Sequence, residues 1–264
     1  MAFVDINGCV HHFVVEGAKD KPALLFSNSL GSDLRMWDAL VPFVAGAFQL
    51  IRYDTRGHGL SEAPVPPYAI RDLARDVAGL LDALQIDSAV VCGLSVGGLI
   101  AQQFGIDYPD RVRALVLCDT GARIGTIASW EDRISMVRQK GLSALSAMSM
   151  ERWFTEDFRR RRSDQVRGYA NMVLRTSPDG YIGTCCALRD ADLTRAVAAI
   201  DKPALVLCGE QDIATPPEMA RQLASVIPHA RLSLIPRAAH ISCVEQPEVM
   251  AAQMMQFFRE VQIV

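Results

Sequence analysis

Residues 90–98 read Val-Val-Cys-Gly-Leu-Ser-Val-Gly-Gly, an apolar run that enters G-x-S-x-G and leaves into a helix-like stretch from Leu99 to Tyr108. A serine held on a tight turn between strand and helix is a candidate nucleophile. Such a turn strains the backbone of its central residue, so the residues two positions away must be small, and Gly93 and Gly97 supply that room. Ser95 would then stand clear of a sheet with a helix N-terminus behind it. The Val96 N–H would face the negative oxygen that develops on a carbonyl attacked by Ser95. A serine hydroxyl is a weak nucleophile at neutral pH, so this chemistry needs a base, and the base needs an acid to orient it. Five histidines compete for the first role: His11, His12, His58, His229 and His240.

The elements that must position these groups are visible as short apolar runs bounded by turn residues. Ala23–Ser27, Gln49–Tyr53, Ala89–Gly93, Ala114–Cys118, Ala204–Cys208 and Ala230–Leu234 each have the length of a strand buried on both faces. Between several of them lie helical patterns. Ile70, Leu73, Ala74, Val77, Leu80, Leu81 and Leu84 recur at spacings of three and four, with Arg71, Asp72, Arg75, Asp76 and Asp82 assigned to the charged face. This alternation implies an α/β fold with a mostly parallel sheet covered by helices. Phe3–Ile6 and Val10–Glu16 would add an antiparallel edge hairpin with Asn7-Gly8 as its turn. Between about Gly121 and Leu193 the alternation stops and helical spacing takes over. We therefore expect a core of residues 1–122 and 191–264, with residues 123–190 inserted as a helical cap that ends ahead of Pro203.

With strands and elbow in place, the chain resembles the α/β-hydrolases over nearly its whole length. Residues 54–61, Asp-Thr-Arg-Gly-His-Gly-Leu-Ser, match that family's D-x-R-G-x-G-x-S stretch, whose role is structural, so no chemistry is assigned to Arg56 or His58. The resemblance implies the chain order serine, acid, histidine. His11, His12 and His58 precede the elbow and His229 precedes the last strand, which leaves His240, in the loop beyond that strand, as the base. The acid is expected in the loop Gly209–Pro216, where Asp212 is the best candidate and Glu210 and Asp119 are alternatives. The family commonly carries His-Gly after the strand Ala23–Ser27, whereas this chain has Asn28-Ser29. By position Leu30 would supply the second oxyanion N–H beside Val96.

The Ser-Asn-Ser-Leu-Gly run at 27–31, the Leu-Arg-Met-Trp run at 34–37 and the Gly93–Gly98 elbow are similar to those of 3-oxoadipate enol-lactone hydrolases of aromatic degradation. That likeness implies a cofactor-free and metal-free serine hydrolase whose substrate is a small anionic lactone. Something in the cap should then bind the substrate's carboxylate. The segment 123–190 carries an excess of basic residues over acidic ones, although Arg159–Arg162 reads as a solvated run. Arg133 differs, because it shares one helical face with Trp130, Ile134 and Val137 while Glu131, Asp132 and Arg138 point elsewhere. An arginine on an apolar face needs an anionic partner, supplied either by a structural ion pair or by substrate. Trp130 and Trp153 are the aromatic candidates for substrate contact.

Composition narrows the function classes. Half of the 264 residues are hydrophobic, and 27 basic against 30 acidic residues leave a net charge of -3, without the positive field that nucleic-acid binding needs. The first twenty residues do not read as an export signal, and no apolar run has the length of a membrane span, so a cytoplasmic protein is expected. The seven cysteines form no C-x-x-C pair, and Cys92, Cys118 and Cys208, which sit inside apolar runs, fit small buried thiols of a reduced cytoplasmic protein. Met148-Ser149-Met150 fits either cap core or the interface of a homo-oligomer. A general carboxylesterase, a hydrolase cleaving carbon–carbon bonds in ring-cleavage products, and a small-molecule receptor on a hydrolase fold are the competing readings. A haloalkane dehalogenase is disfavoured, because its nucleophile is an aspartate.

Overall fold

The computed structural model describes residues 2–264. Its eight strands are β1 (Ala2–Ile6), β2 (Cys9–Glu16), β3 (Ala23–Ser27), β4 (Gln49–Tyr53), β5 (Ala89–Leu94), β6 (Val112–Cys118), β7 (Ala204–Gly209) and β8 (Ala230–Ile235). They form one sheet in the order β1-β2-β4-β3-β5-β6-β7-β8. All neighbouring strands are parallel except at β2, which runs antiparallel to both β1 and β4. The first two strands make the expected hairpin. Ile6 pairs with Cys9, and Asn7 and Gly8 both have positive φ, as a two-residue turn with the twist of the strands demands.

Alternate residues of the central strands point to opposite faces, and each face has its own apolar cluster. Leu25, Ile51, Val91 and Leu115 pack beneath α2 (Ile70–Ala83) and α3 (Val96–Asp107), with α9 (Pro217–Val226) further along the same face. Leu24, Phe26, Val90 and Val116 face the other way, towards α1 (Val41–Val44), α10 (Ser242–Glu245) and α11 (Pro247–Glu260). Central strands covered on both sides are largely apolar, which is why β3, β5 and β7 read as apolar runs, while Arg52 of β4 is held by Glu16 and Asp38 and Arg113 of β6 is exposed. The expectation of burial on both faces fails for β8. Leu232 is 37% exposed, because β8 is the last strand of the sheet and lacks a neighbour on its outer edge.

Between β6 and β7 the chain forms five helices: α4 (Ile127–Lys140), α5 (Ser143–Trp153), α6 (Glu156–Arg161), α7 (Ser163–Leu174) and α8 (Pro178–Asp190). β6 and β7 are parallel neighbours, and the Leu193 N–H donates to the Ala122 carbonyl at 2.9 Å, so the excursion leaves and returns at one place. Arg160 and Arg161 lie exposed and pair with Asp157 on the same helix, in keeping with a solvated run. The apolar residues of α4 and α8 are continuous with the sheet's α2/α3 face, and those at the end of α5 join the opposite cluster.

Asp76 is a correction to the helical reading. It is 1% exposed rather than solvated, and its carboxylate accepts from both Arg56 Nε and Arg56 Nη2 at 2.6 Å. His11 Nε2 lies 3.3 Å away, at an angle that falls short of a hydrogen bond. Burial pushes this carboxyl up, but its contacts with His11 and Arg56 prevail and hold it below its ordinary value. Asp76 follows Leu73 by three residues and precedes Leu80 by four, so its position on the apolar face is written in the spacing. A carboxyl depressed in the folded state contributes stability above the usual carboxylate range and loses it as pH falls through the folded value. Asp76→Ala leaves Arg56 buried without its partner and should cost about 3–5 kcal/mol at neutral pH. Urea unfolding of the two proteins tests this, and a loss below about 1 kcal/mol would contradict the structural role.

Candidate active site

Strand β5 delivers Ser95 at its C-terminal end, one residue before α3. Its φ of 61° and ψ of -117° lie where side chains are rarely found. The surroundings enforce that conformation. The Ser95 N–H donates to the Cys118 carbonyl at 3.0 Å, and Thr120 Oγ1 donates to the Ser95 carbonyl at 2.7 Å. A side chain at Gly93 would overlap the Gly97 carbonyl, and one at Gly97 would overlap the Ser27 carbonyl. These two glycines thus let β3, the elbow and α3 approach to backbone contact.

The loop after β3 is fastened from several sides. Buried Asn28 donates through Nδ2 to the Tyr53 carbonyl at 2.7 Å and accepts from Trp37 Nε1 at 2.9 Å. Ser32 Oγ donates to the Ser29 carbonyl at 2.7 Å, and Asp54 accepts the Leu34 N–H at 2.9 Å. The Asn28-Ser29 departure therefore ties this loop to β4 and to the turn carrying Trp37. Leu30 lines a cavity above Ser95, and its N–H has no protein acceptor among the described residues. Val96 holds the first position of α3, where an N–H has no acceptor within the helix.

His240 and Asp212 meet from the loops after β8 and β7. His240 Nδ1 lies 2.8 Å from Asp212 Oδ2, and both side chains are buried. Asp212 also accepts from the N–H groups of Ala214 and Thr215 at 2.7 and 3.0 Å and from Thr215 Oγ1 at 2.6 Å. Burial opposes charge on both members of the pair. Their mutual attraction wins: the Asp212 carboxyl stays below its ordinary value and the His240 imidazole rises above 6.5. Glu210 is exposed and takes no part. His11, His12 and His58 are buried elsewhere: His11 near Asp76, His12 against Asp54, and His58 on the Arg56 carbonyl.

Asp119, the other alternative, has a different job. It accepts the Gly209 N–H at 2.8 Å and the Ser242 hydroxyl at 2.5 Å, fastening the end of β6 to β7 and to α10. Burial and the nearby Asp212 charge push its carboxyl up to about 8. Asp119, Cys208 and Asp212 bring three potential ligand atoms within 4.8 Å of one another. Every carboxylate oxygen among them already accepts a hydrogen bond from the protein, and burial pushes the Cys208 thiol up, so the cluster is poorly suited to a cation.

Ser95 and His240 open onto one cavity of about 290 Å³, roofed by α4, α5 and α8. Trp130, Arg133 and Trp153 line it, as do Arg152 and Tyr181, which sequence reasoning missed. Trp130 Nε1 donates to the Ile124 carbonyl at 2.6 Å, which fixes the ring. The Arg133 guanidinium lies 5.3 Å from the Trp130 ring centroid and donates to the Tyr181 hydroxyl at 3.4 Å. Asp132 was expected to point away from the cavity but lies on its lining. Thr215 had a signal in its position three residues after Asp212, whereas Tyr181 had none.

An alpha/beta hydrolase fold family matches residues 22–247. The chain belongs to the α/β-hydrolase family. Among its members it is 39% identical over 237 residues to 3-oxoadipate enol-lactonase 2 of Acinetobacter baylyi, covering 90% of this chain and 88% of that one. The crystal structure of the enol-lactonase from Burkholderia xenovorans LB400 superposes with a TM-score of 0.95 at 37% identity, covering 98% of this chain and 100% of that one. A malate-bound thermophilic esterase from Thermogutta terrifontis gives 0.93 at 29% identity over 99% of each chain. Among the described residues no helix is long and apolar enough to cross a membrane. In this α/β-hydrolase the His240 imidazole should titrate above 6.5, and Asp212→Asn should bring it below that value, since burial remains and the opposing charge is gone. Imidazole NMR titration measures both, and an unchanged value in the variant would contradict the electrostatic account.

Proposed function

We propose that this α/β-hydrolase is a serine lactone hydrolase that opens 3-oxoadipate enol-lactone to 3-oxoadipate in the degradation of aromatic compounds. The observation that carries the reading is the joint opening of Ser95 and of His240, itself paired with Asp212, onto one small cavity that also holds guanidinium groups. The 39% identity to an enol-lactonase supports the substrate. The malate held by the Thermogutta terrifontis esterase, a dicarboxylate in a protein of this fold, agrees with an anionic ligand.

In this reading Ser95 Oγ attacks the lactone carbonyl while His240 takes its proton, and Asp212 stabilises the imidazolium that forms. The Leu30 and Val96 N–H groups donate to the tetrahedral oxyanion. Collapse breaks the ring C–O bond and expels an enolate, which leaves more readily than a simple alkoxide, takes up the proton held by His240 and tautomerises to the ketone. Water activated by His240 then attacks the acyl-enzyme and releases the new carboxylate and Ser95. Residues 123–190 act as the cap that shields this chemistry, with Trp130 and Trp153 as walls and Arg133 holding the substrate's own carboxylate. None of these steps calls on a cofactor or a metal.

The loss of enol-lactone ultraviolet absorbance, followed beside hydrolysis of p-nitrophenyl acetate, tests the assignment. Ser95→Ala should lower lactone turnover by about 10⁴-fold or more. Arg133→Ala should raise KM about tenfold with a smaller change in kcat. Because the base must be unprotonated, kcat/KM should fall with decreasing pH through a value above 6.5, following the raised His240 pKa. Serine-dependent ester cleavage without lactone turnover would leave a general carboxylesterase. Full lactone turnover by Ser95→Ala would remove the mechanism.

A further inference from the structure

On α5, Leu145, Met148, Ser149 and Arg152 line the cavity at spacings of three, one and three, which places them on one helical face. On α4, Ser129, Trp130, Arg133 and Met136 line it at spacings of one, three and three, with Asp132 beside them. The two helices pack against each other, and each contributes one arginine to a lining of mixed polarity, Arg133 half-buried and Arg152 exposed. Two guanidiniums on one cavity repel each other and together favour an anion between them. Arg133 has only the Tyr181 hydroxyl and the Trp130 ring. The Arg152 guanidinium forms no hydrogen bond and no ion pair with any described residue, and Asp132, the one carboxylate on the lining, pairs with neither arginine. Partial burial and the neighbouring Arg133 charge hold Arg152 below its ordinary value, the mark of two cations brought close without an anion between them.

We propose that Arg152 joins Arg133 in a two-arginine clamp for the substrate's free carboxylate, and that Arg152 makes the site select acids over their neutral analogues. The clamp deepens the lactone-hydrolase reading and rests on it for the location of the scissile bond. Hydrolysis of such a substrate leaves a dicarboxylate, one end of which retains the clamp's contact as the other is formed at Ser95. A single arginine at the C-terminal end of a helix is favourably placed with respect to the helix dipole and needs no ligand. Two converging arginines in the cavity that holds the candidate nucleophile are not explained that way.

The test uses adipate as the dianionic probe and adipamide as its neutral analogue, with binding to the whole protein measured by calorimetry. Wild type should bind adipate at least tenfold more tightly than adipamide, and adipate should compete with p-nitrophenyl acetate. Arg152→Gln should reduce the adipate-to-adipamide ratio about tenfold or more, Arg152→Lys should recover part of it, and increasing salt should weaken adipate alone. An unchanged ratio in Arg152→Gln would overturn the proposal, as would equal binding of the two probes by wild type. Should Arg152→Gln fail to fold, Arg152→Met and the wild-type charge preference decide the matter by the same ratio. Absence of Ser95-dependent p-nitrophenyl acetate hydrolysis would instead count against the hydrolase reading, while the binding ratio would still judge the clamp.

Discussion

A single backbone conformation organises this molecule. Ser95, at φ 61° and ψ -117°, occupies a region that a free chain would leave at once, and the structure holds it there by packing three backbone segments against one another without side chains between them. Gly93 and Gly97 are the condition for that contact. The sheet order follows from the same need: β3 and β6 must flank β5, since Ser27 closes on Gly97 from one side and Cys118 binds the Ser95 N–H from the other. A strained turn persists only where its neighbours over-determine it, and here the neighbours are central strands of the sheet.

Around that turn, the electrostatics are arranged by burial. Asp212 keeps its charge in a dry site because four donors surround it, and that charge makes His240 more basic despite the imidazole's own desolvation. Asp119, close by, meets the opposite fate, since burial beside an existing anion raises its carboxyl. Two aspartates at neighbouring strand ends thus acquire different properties from their environments. One faces the histidine, and the other ties β6 to β7 and to α10.

The helices between β6 and β7 complete a cavity that the sheet alone would leave open to solvent. Their apolar residues merge with both faces of the core, so the roof is held by the same burial that holds the sheet. Half-buried Arg133 and exposed Arg152 line the underside of that roof without a carboxylate partner, whereas Arg56 is tied to buried Asp76.

Much of this was legible in the chain. Short, mostly apolar runs marked β3 to β7, because strands covered on both faces need such residues, and Asn7-Gly8 marked the hairpin, because its turn demands positive φ. The elbow was legible because strand, glycines, serine and helix are all local. The relation of His240 to Asp212 was anticipated through family resemblance, since 28 residues separate the two and no spacing rule joins them. Periodicity alone also contained Asp76 on the inner face of its helix, but a charged residue reads as solvated until its partner is known. Only the tertiary structure decided that Asp76 meets Arg56, that β8 is an edge, that Thr215 supports Asp212 and that α4 and α5 bring two arginines into one cavity. The physical reason is that chain periodicity determines which way a side chain points within its own element, whereas its partner across space depends on how separate elements pack.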